Sequence, residues 1–327
     1  MYSQDIIDNI VEKGIRSLRF PAEPENIYRP IGYMFGLGGK HLRPRLCLTA
    51  FNLFSDNVTD EVLFPALALE IFHQFTLVHD DIVDNSPTRR NQPTVQARWG
   101  RDIALISGDT MLLTAYRYLA GGPAKLLRPM LDLFTQSAVT VCEGQQLDLD
   151  FEKMPFVTME EYLEMIGKKT GALIAGAVRM GALLAGAPES DCEALYRYGM
   201  ETGLAFQITD DYLDTFGNEK IFGKPIGGDI ANNKKSWLLV ECQHRANSHP
   251  EEKARLEALM QLDASKKEEK LEGIRSLYVR LGVDAAAREA ILAHHEQALS
   301  ALRETSVPEE GKERMAQLAE QLIHREK

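Results

Sequence analysis

Residues 69–84 read LEIFHQFTLVHDDIVD, and residues 202–217 read TGLAFQITDDYLDTFG. Each ends in the pattern Asp-Asp-x-x-Asp: Asp80, Asp81 and Asp84 in the first, then Asp210, Asp211 and Asp214, the copies standing 130 residues apart. The residues before each motif are strongly apolar, so both stretches read as helices that run through a core and bring their acids to its edge. Residues three and four apart share a helix face, and like charges there repel by a few tenths of a kcal/mol. A cation is needed to offset that repulsion. Carboxylate oxygens suit Mg²⁺, a hard ion that takes one or two protein carboxylates and completes its octahedron with water and phosphate oxygens. One such motif reads equally well as a solvated helix face. With 19 Asp among 327 residues, random placement yields one copy in roughly one chain in sixteen and two copies far less often. The pair therefore marks a candidate active site, with two facing acidic triads able to hold several ions.

The surrounding chain fits a helical protein. Aliphatic and alanine-rich segments dominate, few β-branched residues alternate, and no strand-plus-turn pattern repeats, so the expected class is all-α. A net charge of −11 argues against general nucleic-acid binding, which needs a basic footprint. Cys47, Cys142, Cys192 and Cys242 lack the spacing of zinc sites or of a small disulfide framework and read as reduced, buried thiols. The N-terminal MYSQDIIDNIVEKG has neither a basic start nor a continuous apolar segment, and no run of eighteen apolar residues follows. The expectation is a soluble cytoplasmic protein without a transmembrane segment.

Helices are expected over 1–20, 43–55, 62–85, 93–100, 101–120, 126–151, 158–186, 189–217, 232–246, 250–261, 265–281, 284–304 and 309–325, with one more after the Pro-broken PAEPENIYRP. NSPTRRNQPT (85–94) reads as a loop directly after the first acidic motif. No break isolates a second domain, so residues 1–327 are expected to form one antiparallel helical bundle around a deep central cavity.

Cations cluster near these acids. Lys40, His41 and Arg43 follow Gly38-Gly39; Arg89 and Arg90 follow the first motif; Lys168-Lys169 precede Thr170-Gly171; Lys224, Lys234 and Lys235 follow the second motif. A glycine turn before a basic helix start is by itself ordinary punctuation. Together the groups suit a metal-diphosphate, whose oxygens metal and cations neutralise jointly. His73 lies about two turns before Asp80 on nearly the same face and can donate to a second diphosphate. His79 reads as a partner that orients the carboxylates, and Gln207 sits before Asp210 as His73 does before Asp80. No GxSxG, GxxxxGK[ST] or GxGxxG supports hydrolase, P-loop or dinucleotide chemistry.

These residues resemble the trans-isoprenyl diphosphate synthases, the polyprenyl synthetase family. The likeness runs from about residue 30 to the end, through GGKHLRP (38–44), ExxHxxTLVHDDIVD (70–84), TRR (88–90), SGDTML (107–112), GQQLDL (144–149), KTGAL (169–173), FQITDDYLD (206–214) and GKPIGGDIANNKKS (223–236). It implies an all-α fold, a homodimer, and head-to-tail condensation of isopentenyl diphosphate with an allylic diphosphate. Asp80, Asp84 and Asp210 would hold Mg²⁺, on the order of three ions with bound diphosphate, supported by Asp81, Asp211 and Asp214. Arg89, Lys169, Thr170, Gln207, Lys224 and Lys234 would grip the allylic diphosphate. Lys40, Arg43, His73 and Arg90 would hold isopentenyl diphosphate. His41 and Ser236-Trp237 depart from the common pattern. Phe75 and Phe72, about 7.5 and 12 Å below Asp80 by helix rise, with small Thr76 beside them, are candidates for the floor that limits the growing chain; they favour a C15 to C20 product, C20 slightly ahead. Two rival readings are a class I terpene cyclase and a non-catalytic regulatory subunit.

Overall fold

The computed structural model describes residues 1–218 and 226–324. In chain order its helices are α1 (Gln4–Ser17), α2 (Glu25–Gly36), α3 (Leu42–Asn52), α4 (Asp60–Val83), α5 (Val95–Trp99), α6 (Arg101–Leu119), α7 (Leu127–Glu152) and α8 (Met159–Ile166). They continue with α9 (Ala172–Leu184), α10 (Glu189–Phe216), α11 (Gly228–Ala231), α12 (Trp237–Ala246), α13 (Pro250–Met260), α14 (Lys267–Arg280), α15 (Val283–Arg303) and α16 (Glu309–Ile323). Among the described residues the only paired strands are β1 (Thr88–Arg89) and β2 (Gln92–Pro93), so the class is all-α.

The residues fall into two compact units. The first is built from Met1–Ala138, Leu173–Tyr196 and Thr305–Gly311, the second from the described parts of Val139–Ala172, Arg197–Glu304 and Lys312–Lys327. In the first unit α4 is central, packed against α6 and α3 and touched by α1 and α5. Its apolar residues Val62, Leu67, Leu69, Ile71, Phe72, Phe75 and Val78 are buried, each contributing about 1.5–3 kcal/mol by leaving water. Among the described residues α4 is the one helix long and apolar enough to cross a membrane, with mean hydropathy 1.4, yet 67% of that window is buried inside the protein. Gly108 on α6 permits the close α4–α6 approach, because a Cβ there would meet Nε2 of His79 at 2.2 Å.

In the second unit Tyr162, Ile166, Ile208, Trp237, Leu238, Tyr278 and Ile291 belong to one core that joins α8, α10, α12, α14 and α15. Helix α8 starts at a full capping box, Thr158 with Glu161. It then runs into a π-helical turn at Gly167–Gly171 before α9. Two close backbone approaches fix that turn. A Cβ on Gly144 of α7 would lie 2.2 Å from the Lys169 nitrogen, and one on Gly203 of α10 would lie 2.6 Å from the Gly171 Cα.

Three sequence expectations change. The 85–94 loop contains the β1–β2 ribbon, because Arg90 (φ 52°) and Asn91 (φ 60°) make the two-residue turn with positive φ at both centres that matches strand twist. The helix expected over 232–246 begins only at Trp237: Asn233 takes φ 53°, and the Ser236 side chain accepts from the Leu239 N–H as the helix cap. Cys142 is exposed, while Cys47, Cys192 and Cys242 are buried thiols as read.

Candidate active site

Both acidic motifs stand at C-terminal helix ends, the first closing α4 with Asp84 as its C-cap and the second in the last turns of α10, which has no basic residue there. A helix C-terminus carries about half a negative charge, so each carboxylate there is disfavoured by roughly 0.3–1 kcal/mol. Six acids in such places call for cations.

Within the first motif the three acids differ. Asp81 is buried, at 1% exposure, and Arg89 of β1 holds it through Nε at 2.9 Å and Nη2 at 2.8 Å. Burial raises the Asp81 carboxyl against the lowering effect of Arg89. Asp80 is half-buried and Asp84 exposed. They lie four residues apart, on one face of the helix end.

The turn between β1 and β2 aims Arg90 at the Gly38-Gly39 loop. Its Nη1 donates to the Gly38 carbonyl, and a Cβ on Gly39 would come within 2.8 Å of Nη2. Gly38 (φ 70°) and Gly39 (φ 155°) both take conformations open to glycine. Lys40 is exposed on this loop. His41 is buried and holds Nδ1 3.0 Å from Oε1 of Glu70, while the Gln74 amide donates to the same oxygen at 2.6 Å. Burial lowers Arg43 to about 10 despite the charge of Glu70. His73 is held well below its ordinary range, first by burial and then by Arg43.

His79 departs from its expected role. Its ring packs edge-on against Phe75 at 4.6 Å, and Nε2 lies 3.2 Å from the Leu105 carbonyl oxygen. Phe72 and Phe75 are buried side by side, with ring centroids 5.4 Å apart, and Phe72 meets Phe134 at 5.5 Å. Thr76 turns its hydroxyl back to the His73 carbonyl at 2.8 Å.

In the second unit the middle acid is again engaged internally. Asp211 accepts from the Tyr162 hydroxyl at 2.5 Å, the Gln207 amide at 3.0 Å and the Trp237 N–H at 2.8 Å. At the Ser236-Trp237 departure the contact to Asp211 is made by the backbone, with a donor that any residue but proline would supply. Burial raises Asp211 in opposition to these bonds. Asp214 accepts the Asp229 N–H at 2.9 Å. Asp229 is itself pushed up to about 8, by burial and then by the charges of Asp211, Asp214 and Asp210 against Lys234. On the π turn, Lys169 pairs with Asp148 at 2.5 Å and the Thr170 hydroxyl donates to Gln207 at 2.8 Å. Asp148, Tyr162, Lys169, Gln207, Asp211, Lys234 and Lys235 line a common pocket of about 20 Å³, room for about one water. Asp210 and Lys234 are partly exposed, and Lys224 lies outside the described residues.

Among the described residues no three His, Cys, Asp or Glu side chains form a closed metal cage. An open set of hard oxygens on crowded, partly exposed acids fits Mg²⁺, which keeps water and phosphate oxygens in its shell. Zinc-type cages are closed and rich in nitrogen or sulfur.

Sequence reading gave no role to Glu70, Asp148, Tyr162 or Asp229. The available signal was an acid within an apolar stretch: Glu70 in ALALEIF, Asp148 in QQLDLDF.

The sequence pattern described as polyprenyl synthetase matches residues 24–278. A short chain isoprenyl diphosphate synthase of Methanothermobacter thermautotrophicus is 35% identical over 97% of this chain and 96% of its own. A crystal structure of a geranylgeranyl pyrophosphate synthase superimposes with TM-score 0.94 at 35% identity, covering 100% of both chains. A Corynebacterium glutamicum geranylgeranyl pyrophosphate synthase, complexed with isoprenyl diphosphate and magnesium, superimposes with TM-score 0.85 at 26% identity, covering 98% of each chain.

Proposed function

The chain belongs to the polyprenyl synthetase family and is a trans-prenyltransferase, and from that premise we propose that it condenses isopentenyl diphosphate head-to-tail with dimethylallyl, geranyl or farnesyl diphosphate. The product is an all-trans C15 to C20 prenyl diphosphate, C20 ahead. Residues 1–327 act in this as a single synthase domain.

Asp80, Asp84 and Asp210 bind Mg²⁺, and Asp81, Asp211 and Asp214 keep them in place. The observation that carries this division is that Asp81 and Asp211 already spend their oxygens on Arg89, Tyr162, Gln207 and Trp237. Bound Mg²⁺ supplies Lewis-acid withdrawal of charge from the leaving diphosphate. Arg89, Lys169, Thr170, Gln207, Lys224 and Lys234 grip the same diphosphate, stabilising negative charge as the allylic C–O bond breaks. The internal pairs Arg89–Asp81 and Lys169–Asp148 favour preorganised donors, and the Thr170 hydroxyl orients the Gln207 amide. Lys40, Arg43, His73 and Arg90 hold isopentenyl diphosphate so that its alkene adds to the allylic cation, a positioning effect. The departing diphosphate takes the proton lost from the adduct.

The buried Phe72–Phe75–Phe134 cluster supports a floor that stops the chain early. Leu105, Ile106 and Leu113 on α6 are 46%, 51% and 71% exposed, an apolar face suited to a second copy in a homodimer.

The test supplies each of the three allylic primers separately with labelled isopentenyl diphosphate and Mg²⁺ and identifies products by mass. Label in an acyclic C20 diphosphate supports the reading. Cyclic hydrocarbon without label, or activity only with a second protein added, overturns it.

A further inference from the structure

Glu70 stands ten residues before Asp80 on α4, about 15 Å along the helix, and is 1% exposed. A carboxylate so buried costs several kcal/mol unless polar partners compensate. Leucine or glutamine would pack there without that cost. One of its partners, His41, comes from the loop before α3, and the other, Gln74, stands one turn on along α4. His41 brings Nδ1 to 3.0 Å and Gln74 its amide to 2.6 Å, both at Oε1. His41 is 5% exposed and takes φ 44°, a left-handed conformation that costs a residue with a Cβ about 1–2 kcal/mol. A side chain anchored at its tip offsets that cost. On either side of His41 are exposed Lys40 and half-buried Arg43, the latter interacting with Glu70 through its charge. Arg90 closes on the same loop at Gly38 and also senses Glu70. One carboxylate thus serves a loop that gathers three cations.

We infer that Glu70 is a positioning residue: through His41 it fixes the Gly38–His41 loop and the start of α3 in the conformation that presents Lys40 and Arg43 to the diphosphate of isopentenyl diphosphate. The inference rests on the reading of that loop as the isopentenyl diphosphate site. It makes Glu70 selective in effect, acting on one substrate and leaving the other alone.

Steady-state kinetics with the two substrates varied in turn separates this from a merely structural role. Glu70→Gln keeps the shape and removes the charge. His41→Ala keeps the charge and removes the anchor. Each should raise KM for isopentenyl diphosphate roughly tenfold or more, with KM for the allylic diphosphate within about twofold and kcat within about threefold. His41→Asn should restore KM, because asparagine tolerates the left-handed backbone and places an amide N–H near the position of Nδ1. If Glu70→Gln does not fold, the His41 pair decides. Equal rises in both KM values, no change in either, or no rescue by asparagine overturns the inference in variants that still unfold cooperatively. Absence of isopentenyl incorporation by the wild-type chain would instead overturn the reading of the site, and the inference with it.

Discussion

Asp80 and Asp211 stand in like motifs but face different demands, and their substitution should separate chemistry from stability. Asp80→Ala or Asp210→Ala should lower turnover by orders of magnitude while circular dichroism and thermal midpoint stay near wild type, since removing an acid from a helix C-terminus relieves repulsion. Wild-type turnover at saturating Mg²⁺ would contradict the metal role. Asp211→Ala leaves the Tyr162 hydroxyl and the Trp237 N–H without their buried acceptor, at about 1–3 kcal/mol for each group. Denaturant unfolding should show that loss. Glu70 supplies the pH prediction. Burial would raise its carboxyl, but the His41 bond, the charges of His73 and His41, and the Gln74 bond hold it at about 2, below its ordinary 4.5. A depressed carboxyl stabilises the fold above its unfolded value and loses that contribution as pH falls through the folded one. Stability should therefore decline between pH 4.5 and 2 more steeply in wild type than in Glu70→Gln; parallel profiles would remove Glu70 as the cause.

Among the elements, α4 and α10 were legible because their apolar run and terminal acids lie within single helices, where spacing alone fixes which residues share a face. The π turn was not. Its conformation depends on Gly144 and Gly203 meeting the backbones of Lys169 and Gly171, contacts between residues far apart in sequence. Gly203→Ala forces a Cβ to 2.6 Å from the Gly171 Cα, so it should lower the thermal midpoint and raise KM for the allylic substrate by displacing Lys169 and Thr170. An unchanged KM in a folded variant would detach the turn from substrate binding. Likewise the start of α12 depends on Asn233 leaving helical geometry, which the run NNKKSW does not announce. Phe75→Ala opens the aromatic cluster on α4 and should lengthen products on chromatography. An unchanged distribution would remove Phe75 from the floor.

For the molecule as a whole, the acids and cations that meet substrate in this account were readable because they recur in polar, charge-bearing motifs. Residues that hold those groups in place were not: Asp148 matters through Lys169, Tyr162 through Asp211, and Glu70 through His41, pairings made only by the fold. The exposed face of α6 makes its own prediction, that Leu113→Glu shifts the chain toward monomer by light scattering; unchanged mass would place the contact elsewhere. On the proposed reading both acidic triads bind one allylic diphosphate through Mg²⁺. Calorimetric titration of a non-ionising farnesyl thiolodiphosphate, with and without Mg²⁺, into wild type, Asp80→Ala and Asp210→Ala measures this. Binding that needs Mg²⁺ and is weakened at least tenfold by either substitution is the predicted result, about 1.4 kcal/mol or more. Binding that ignores Mg²⁺, or survives loss of either acid, would contradict it.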